Sequence, residues 1–200
     1  MQDHLVLAAW ILGAYLVGGV PFGFLIGKMR GVDVRTVGSK NIGATNVYRT
    51  VGHSWGFLAF FCDFLKGFLP TFAAVRLLDA DWPVAVGLAC VVGHTLTPYM
   101  AFKGGKGVAT AFGMLMALIP ALVGVAFAIF VVTVWISHYI SLGSCLAAAF
   151  LGVMIWIPTP LAPSVGLPLK IVMTLLAVFV IWKHRTNIAR LKAGTENKIY

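Results

Sequence analysis

Phe102-Lys103-Gly104-Gly105-Lys106-Gly107 is a charged, glycine-dense hexapeptide with apolar sequence on both sides, Trp82 to Met100 before it and Val108 to Ile136 after it. A short cationic turn between two long apolar runs is the pattern of a chain that leaves a bilayer and re-enters it. Three glycines let the backbone take positive φ and aim N–H groups inward, which makes a concave anion site. Lys103 and Lys106 add ammonium groups, and Val108-Ala109-Thr110-Ala111 reads as a helix start, whose free N–H groups and partial positive charge suit a phosphate. The stretch is not a nucleotide P-loop, because Gly107 stands where Mg²⁺ binding needs a serine or threonine after the lysine. The plain alternative is a cytoplasmic turn whose charge only fixes topology.

Composition points the same way. Of 200 residues, 60% are apolar and only 10% charged, where soluble domains carry roughly a quarter. Continuous apolar runs fit helices of about 20 residues, and a closed barrel would alternate in polarity instead. The expected class is all-α: a polytopic membrane protein with a single membrane-embedded domain over residues 1–200. Net charge is +9, and twelve of the fifteen Lys/Arg lie in residues 28–49, 102–107 and 183–200. That clustering is the positive-inside pattern rather than a nucleic-acid surface, so no nucleic-acid partner is expected. Cys62, Cys90 and Cys145 lack ligand spacing and read as small core hydrophobes. The histidines lack it as well, so neither metal nor cofactor is expected. Met1 to His4 lacks the basic region of a signal peptide, and the following run reads as a retained span.

Spans are expected at Leu5 to Gly27, Trp55 to Leu78, Trp82 to Met100, Leu142 to Ile157 and Leu167 to Trp182, with an acidic turn at Leu78-Asp79-Ala80-Asp81 and a proline-rich loop over Pro158 to Gly166. With the three basic segments cytoplasmic, an even number of crossings must separate Gly107 from Lys183. Val108 to Ile136 therefore divides at Pro120 into two short spans of about 14 residues, each roughly 21 Å long. The count is seven helices, N-terminus outside and C-terminus inside.

Two further stretches are rich in donors. Ser39-Lys-Asn-Ile-Gly-Ala-Thr-Asn-Val-Tyr-Arg49 offers Ser39, Asn41, Thr45 and Asn46 as short polar groups, with Gly43 permitting an unusual backbone angle. Arg49 can grip a phosphate bidentately. A capped helix start, with Ser39 or Thr45 bonding free N–H groups, would use the same residues. In the tail, His184, Asn187 and Arg190 or Leu191 share a face if the last span runs on as a helix. Only Asp33 and Glu196 are acids near these segments. Together the three segments describe a cationic cup at the cytoplasmic interface for phosphorylated groups.

These motifs resemble those of the bacterial acyl-phosphate:glycerol-3-phosphate acyltransferases: Gly38-Ser-Lys-Asn-Ile-Gly-Ala-Thr-Asn46 with Arg49, Gly93-His94 with Pro98 and Phe102 to Thr110, His184-x-x-Asn187-x-x-Arg190-Leu191, and Asp63-x-x-Lys66-Gly67. The resemblance implies acyl transfer from a fatty acyl phosphate to the 1-hydroxyl of glycerol 3-phosphate by a multi-pass protein of the bacterial inner membrane, with its site facing the cytoplasm. A membrane lipid partner and a monomer are expected as well. On that basis Ser39, Arg49, Lys106, His184 and Asn187 are the expected catalytic residues. Asn41, Thr45, Asn46, Lys103, Gly104, Gly105, Gly107 and Arg190 are expected to bind substrate phosphate. Lys66, His94 and Glu196 are further candidates, with Asp63–Lys66 also readable as a structural pair beneath the site. Either His184 or the substrate phosphate accepts the hydroxyl proton. Two rival classes use the same charges: an organic-anion or phosphate-ester transporter built on broken helices, and a lipid-binding subunit. The first calls for internal symmetry, and no motif repeats between the halves.

Overall fold

Pro21 interrupts the first apolar stretch, and the chain answers with two helices instead of one: α1 (Gln2–Gly19) and α2 (Phe22–Met29). A computed structural model describes residues 2–79, 81–162 and 165–199; expectations touching Met1, Ala80, Pro163, Ser164 and Tyr200 lie outside them. The later helices are α3 (Ala44–Thr50), α4 (His53–Leu77), α5 (Trp82–Thr95), α6 (Val108–Leu118), α7 (Pro120–Ser137), α8 (Ile140–Met154), α9 (Leu167–Lys183) and α10 (Arg185–Lys192), with a 3₁₀ turn at Pro98–Met100. Among the described residues no strand forms beyond an isolated bridge between Thr159 and Ala162. The all-α expectation holds.

Among the described residues four segments are long and apolar enough to cross a bilayer: His4–Met29, His53–Leu77, Trp82–Met100 and Pro120–Ser137. A fifth combines α9 and α10, which meet at a bend of 53°, and α6 and α8 are shorter apolar helices. The break expected at Pro120 is present, but the pieces are unequal, with 11 residues in α6 and 18 in α7. Proline is well suited to open a helix, where its missing N–H would have no partner, so α7 starts on Pro120 itself. The last span does not run straight on into the tail, because the helix bends at His184.

The chain forms two compact units, residues 1–118 and 119–200. In the first, α5 lies on α1, and α4 lies on both α5 and α6. Glycines set these approaches. Gly18 and Gly93 face the backbone carbonyls of Cys90 and Tyr15, while Gly67 and Gly113 face those of Thr110 and Phe64, each too close for a Cβ. In the second unit α8 lies between α7 and α9. Outward faces carry Phe57, Trp135, Leu175 and Val178, all more than 60% exposed, a surface suited to lipid and not to water.

If glycine is required for the α4–α6 approach, Gly67→Val costs about 1–3 kcal/mol of overpacking. A lowered thermal midpoint in detergent is expected for that variant. Gly13→Ala has open space around it and is expected to leave the midpoint unchanged.

Candidate active site

Residues 30–43 form a polar loop fastened from below. Ile26, Val34, Ile42, Val47 and Ala59 make a buried cluster under it. Asn46, 1% exposed, is its clasp: Nδ2 donates to the carbonyls of Val34, Val37 and Asn41, and Oδ1 accepts from the Ser39 amide. Both ends of Asn46 are thus committed to the loop, which corrects the expectation that it binds phosphate. Asn41 Oδ1 accepts from the Gly43 amide 2.8 Å away. Gly43 itself has ordinary φ; beside Gly31 (φ 75°), the loop's left-handed residues are Gly38 (φ 58°) and Lys40 (φ 55°), which flank the exposed Ser39. Neither Ser39 nor Thr45 caps α3, whose N-cap is Gly43. Arg49 and Thr45 lie half-buried on α3, and Ser39 is exposed. The loop's acid, Asp33, is paired with Arg35 at 2.6 Å, and the Arg35 hydrogen bonds hold its carboxyl down to about 2.

The glycine turn rests on the end of α5. The Gly104 amide donates to the Thr95 carbonyl at 3.2 Å and the Gly105 amide to the His94 carbonyl at 3.1 Å. Those two N–H groups are therefore not offered to an anion, contrary to the expectation. Gly107 alone of the three is left-handed (φ 81°); Gly104 and Gly105 are needed for space, since a Cβ on either would run into His94. Ala101 and Phe102 take positive φ before the turn, at 49° and 60°. Lys103 is exposed, Lys106 is half-buried, and α6 begins at Val108 as expected.

Beneath the turn lies a buried ionic group. Asp63 and Lys66 form an ion pair on α4, each side chain no more than 3% exposed, and Lys66 Nζ donates to the Val20 carbonyl at 2.7 Å. His94 Nδ1 stands 3.6 Å from Asp63. Lys66 is thus engaged below the turn, and the expectation of it as a phosphate neighbour gives way to the structural pair.

In the second unit, His184 sits at the α9–α10 bend, 4% exposed, with Nδ1 2.8 Å from the Val180 carbonyl. A carbonyl only accepts, so Nδ1 carries the proton and Nε2 is the basic nitrogen of the neutral ring. Glu196 organises the tail. Its carboxylate accepts from Asn187 Nδ2 at 2.6 Å, Ser141 Oγ at 3.0 Å and Arg190 Nε at 2.6 Å. Arg190 is therefore ion-paired with Glu196, not simply presented to a phosphate. No periodicity in the sequence links Ser141 to Glu196, a residue 55 positions later. Among the described residues no three His, Cys, Asp or Glu cluster as metal ligands.

Fold and polar loops together define a helical integral membrane protein with cation-rich, carboxylate-poor loops. The chain belongs to the glycerol-3-phosphate acyltransferase family, whose profile it matches over residues 8–194. The glycerol-3-phosphate acyltransferase of Trichlorobacter lovleyi is 50% identical over 190 residues, covering 94% of this chain and 95% of that one. That of Geobacter sulfurreducens is 48% identical over 200 residues, covering 99% and 98%. The crystal structure of PlsY (YgiH), an integral membrane glycerol 3-phosphate acyltransferase, superposes in its glycerol 3-phosphate form with a TM-score of 0.90 at 36% identity, covering 96% of this chain and 95% of that one. Its lysophosphatidic acid form gives 0.87 at 35%, with the same coverage.

Burial pushes the Glu196 carboxyl up, but hydrogen bonds from Asn187, Arg190 and Ser141 pull it further down, below the ordinary glutamate range. A carboxyl lowered in the folded state stabilises fully above its ordinary value and loses that contribution as pH falls through the lowered one. Amides of Thr195 and Ile199, bonded to the Arg190 and His138 carbonyls, report on the tail. Their protection from hydrogen exchange is expected to hold at neutral pH, to fall in acid below the glutamate range, and to be lost at neutral pH in Glu196→Ala.

Proposed function

We propose that this protein makes lysophosphatidic acid by moving a fatty acyl chain from acyl phosphate to the 1-hydroxyl of glycerol 3-phosphate, releasing inorganic phosphate. The observation that carries this reading is the near-full-length likeness to an acyltransferase solved in a glycerol 3-phosphate form and a lysophosphatidic acid form. It is an acyltransferase of the membrane, acting at the first acylation of phospholipid synthesis.

An acyl phosphate is a mixed anhydride with a stable leaving group, so the reaction needs positioning and charge more than a protein nucleophile. The glycerol oxygen attacks the acyl carbon, the bond from that carbon to the phosphate oxygen breaks, and its electron pair leaves with phosphate. Arg49, Lys106, Gly107 and the first N–H groups of α6 hold phosphate, with Lys103 at the rim. Ser39, Asn41 and Thr45 orient substrate oxygens, as does Asn187, which Glu196 holds in place. His184 Nε2 takes the hydroxyl proton, its tautomer set by the Val180 carbonyl. The substrate phosphate is the other acceptor in reach of this chemistry.

Placement follows from charge. Seven membrane segments, with the N-terminus outside, put residues 28–49, 102–107 and the tail in the bacterial cytoplasm, where the positive-inside pattern puts them. The protein then works as a monomer in the inner membrane, a single acyltransferase domain over residues 1–200, with no cofactor, metal or nucleic acid.

Purified chain given palmitoyl phosphate and glycerol 3-phosphate is expected to form lysophosphatidic acid without acyl-CoA, acyl carrier protein or metal. Uptake of glycerol 3-phosphate into vesicles with no product would identify a transporter instead. His184→Ala is expected to lower kcat by about 10²-fold or more. A loss of only several-fold hands the proton to the substrate phosphate.

A further inference from the structure

The buried charges of the first unit take no part in the reaction as written, yet they end on the glycine turn. Asp63 faces His94 Nδ1 at 3.6 Å from one side, while Lys66 neutralises the carboxylate from its own helix. The opposite edge of the imidazole, Nε2, faces Gly105 so closely that a Cβ there would overlap it. The His94 carbonyl accepts the Gly105 amide, and the neighbouring Thr95 carbonyl accepts that of Gly104. Gly107 then turns the chain into α6, and the space a Cβ would need at that position is bounded by the Thr95 and Val91 side chains. The imidazole is thus clamped between a fixed carboxylate and the backbone that carries Lys106.

We propose that His94 is a positioning residue for phosphate binding: its ring, backed by Asp63, is the stop against which the Gly104–Gly105 backbone rests. That stop sets where Lys106 and the start of α6 stand. The proposal rests on the reading that this turn holds a substrate phosphate. Two observations argue for positioning over direct contact. His94 is 5% exposed, its partner Asp63 2%, and both face the interior between α4 and α5. Gly105 has no positive φ, so glycine is required there by the ring and not by the backbone.

The requirement is reciprocal, which gives a test that general destabilisation does not mimic. His94→Ala, Gly105→Ala and the double variant are compared in the full-length chain by thermal midpoint, by KM and kcat, and by ³¹P titration with inorganic phosphate. Each single change is expected to raise the phosphate Kd and the KM for glycerol 3-phosphate about tenfold, with kcat changed less than about threefold. In the double variant the vacated ring space accepts the new methyl, so its constants fall within about threefold of His94→Ala alone. Effects that multiply to about a hundredfold, or a His94→Ala variant with unchanged constants, overturn the proposal. Wild-type chain that binds no phosphate overturns it as well. Should the alanine variant not purify, His94→Asn keeps a donor for Asp63 but lacks the ring edge that meets Gly105, and is expected to shift the constants in the same direction; unchanged constants overturn the proposal. Wild-type chain that makes no lysophosphatidic acid but shows the coupled phosphate Kd values loses the enzyme reading and keeps the positioning. Normal synthesis with multiplicative effects does the reverse.

Discussion

One ammonium ties the break after α1 to the middle of α4. Pro21 ends α1 early, and the carbonyls of Gly19 and Val20 lose the helical partners they would otherwise have. In surroundings without water, each such carbonyl left alone costs about 1–3 kcal/mol or more. Lys66 reaches 46 residues back to donate to Val20, whose carbonyl also accepts from the Phe22 amide at 3.1 Å, and Thr97 donates to Gly19 at 2.6 Å. A buried ammonium is itself costly, and Asp63 one turn away neutralises it. The break in α1, the charged pair in α4 and the threonine after α5 are one arrangement, with the glycine turn built on its top.

The same economy runs through both polar loops of the unit. Buried polar groups are spent on holding backbone: Asn46 gathers four backbone groups under Ser39, and His94 and Thr95 carry Gly105 and Gly104. In the second unit Glu196 does this for the tail, joining Ser141, Asn187 and Arg190. What remains for a substrate is cationic and amide-rich, and poor in nucleophiles set beside a base. That inventory fits a reaction whose leaving group is already good and whose difficulty lies in bringing two anions together.

Much of this was legible in the sequence. Apolar runs of bilayer length gave the helices, Pro120 marked a real break, and clustered basic residues marked the polar loops. Three ordered motifs pointed to the family. What stayed hidden is long-range. Nothing near Asn46 in sequence says that its amide closes a loop from Val34 to Asn41, so it read as a ligand. Glycine-rich composition implied positive φ, whereas Gly104 and Gly105 serve close approach to His94, a fact of packing. The bend at His184 has no proline to announce it. Ser141 finds Glu196 only after α9 and α10 have folded back.

Under the proposed mechanism transfer is direct, by groups that hold and orient, with no acyl group passing through the protein. Intact mass of the purified chain, quenched after incubation with palmitoyl phosphate in the absence of glycerol 3-phosphate, tests it. The expected result is the unmodified mass, with no stoichiometric release of phosphate. A palmitoyl adduct on Ser39, formed with one equivalent of phosphate released, would contradict the account.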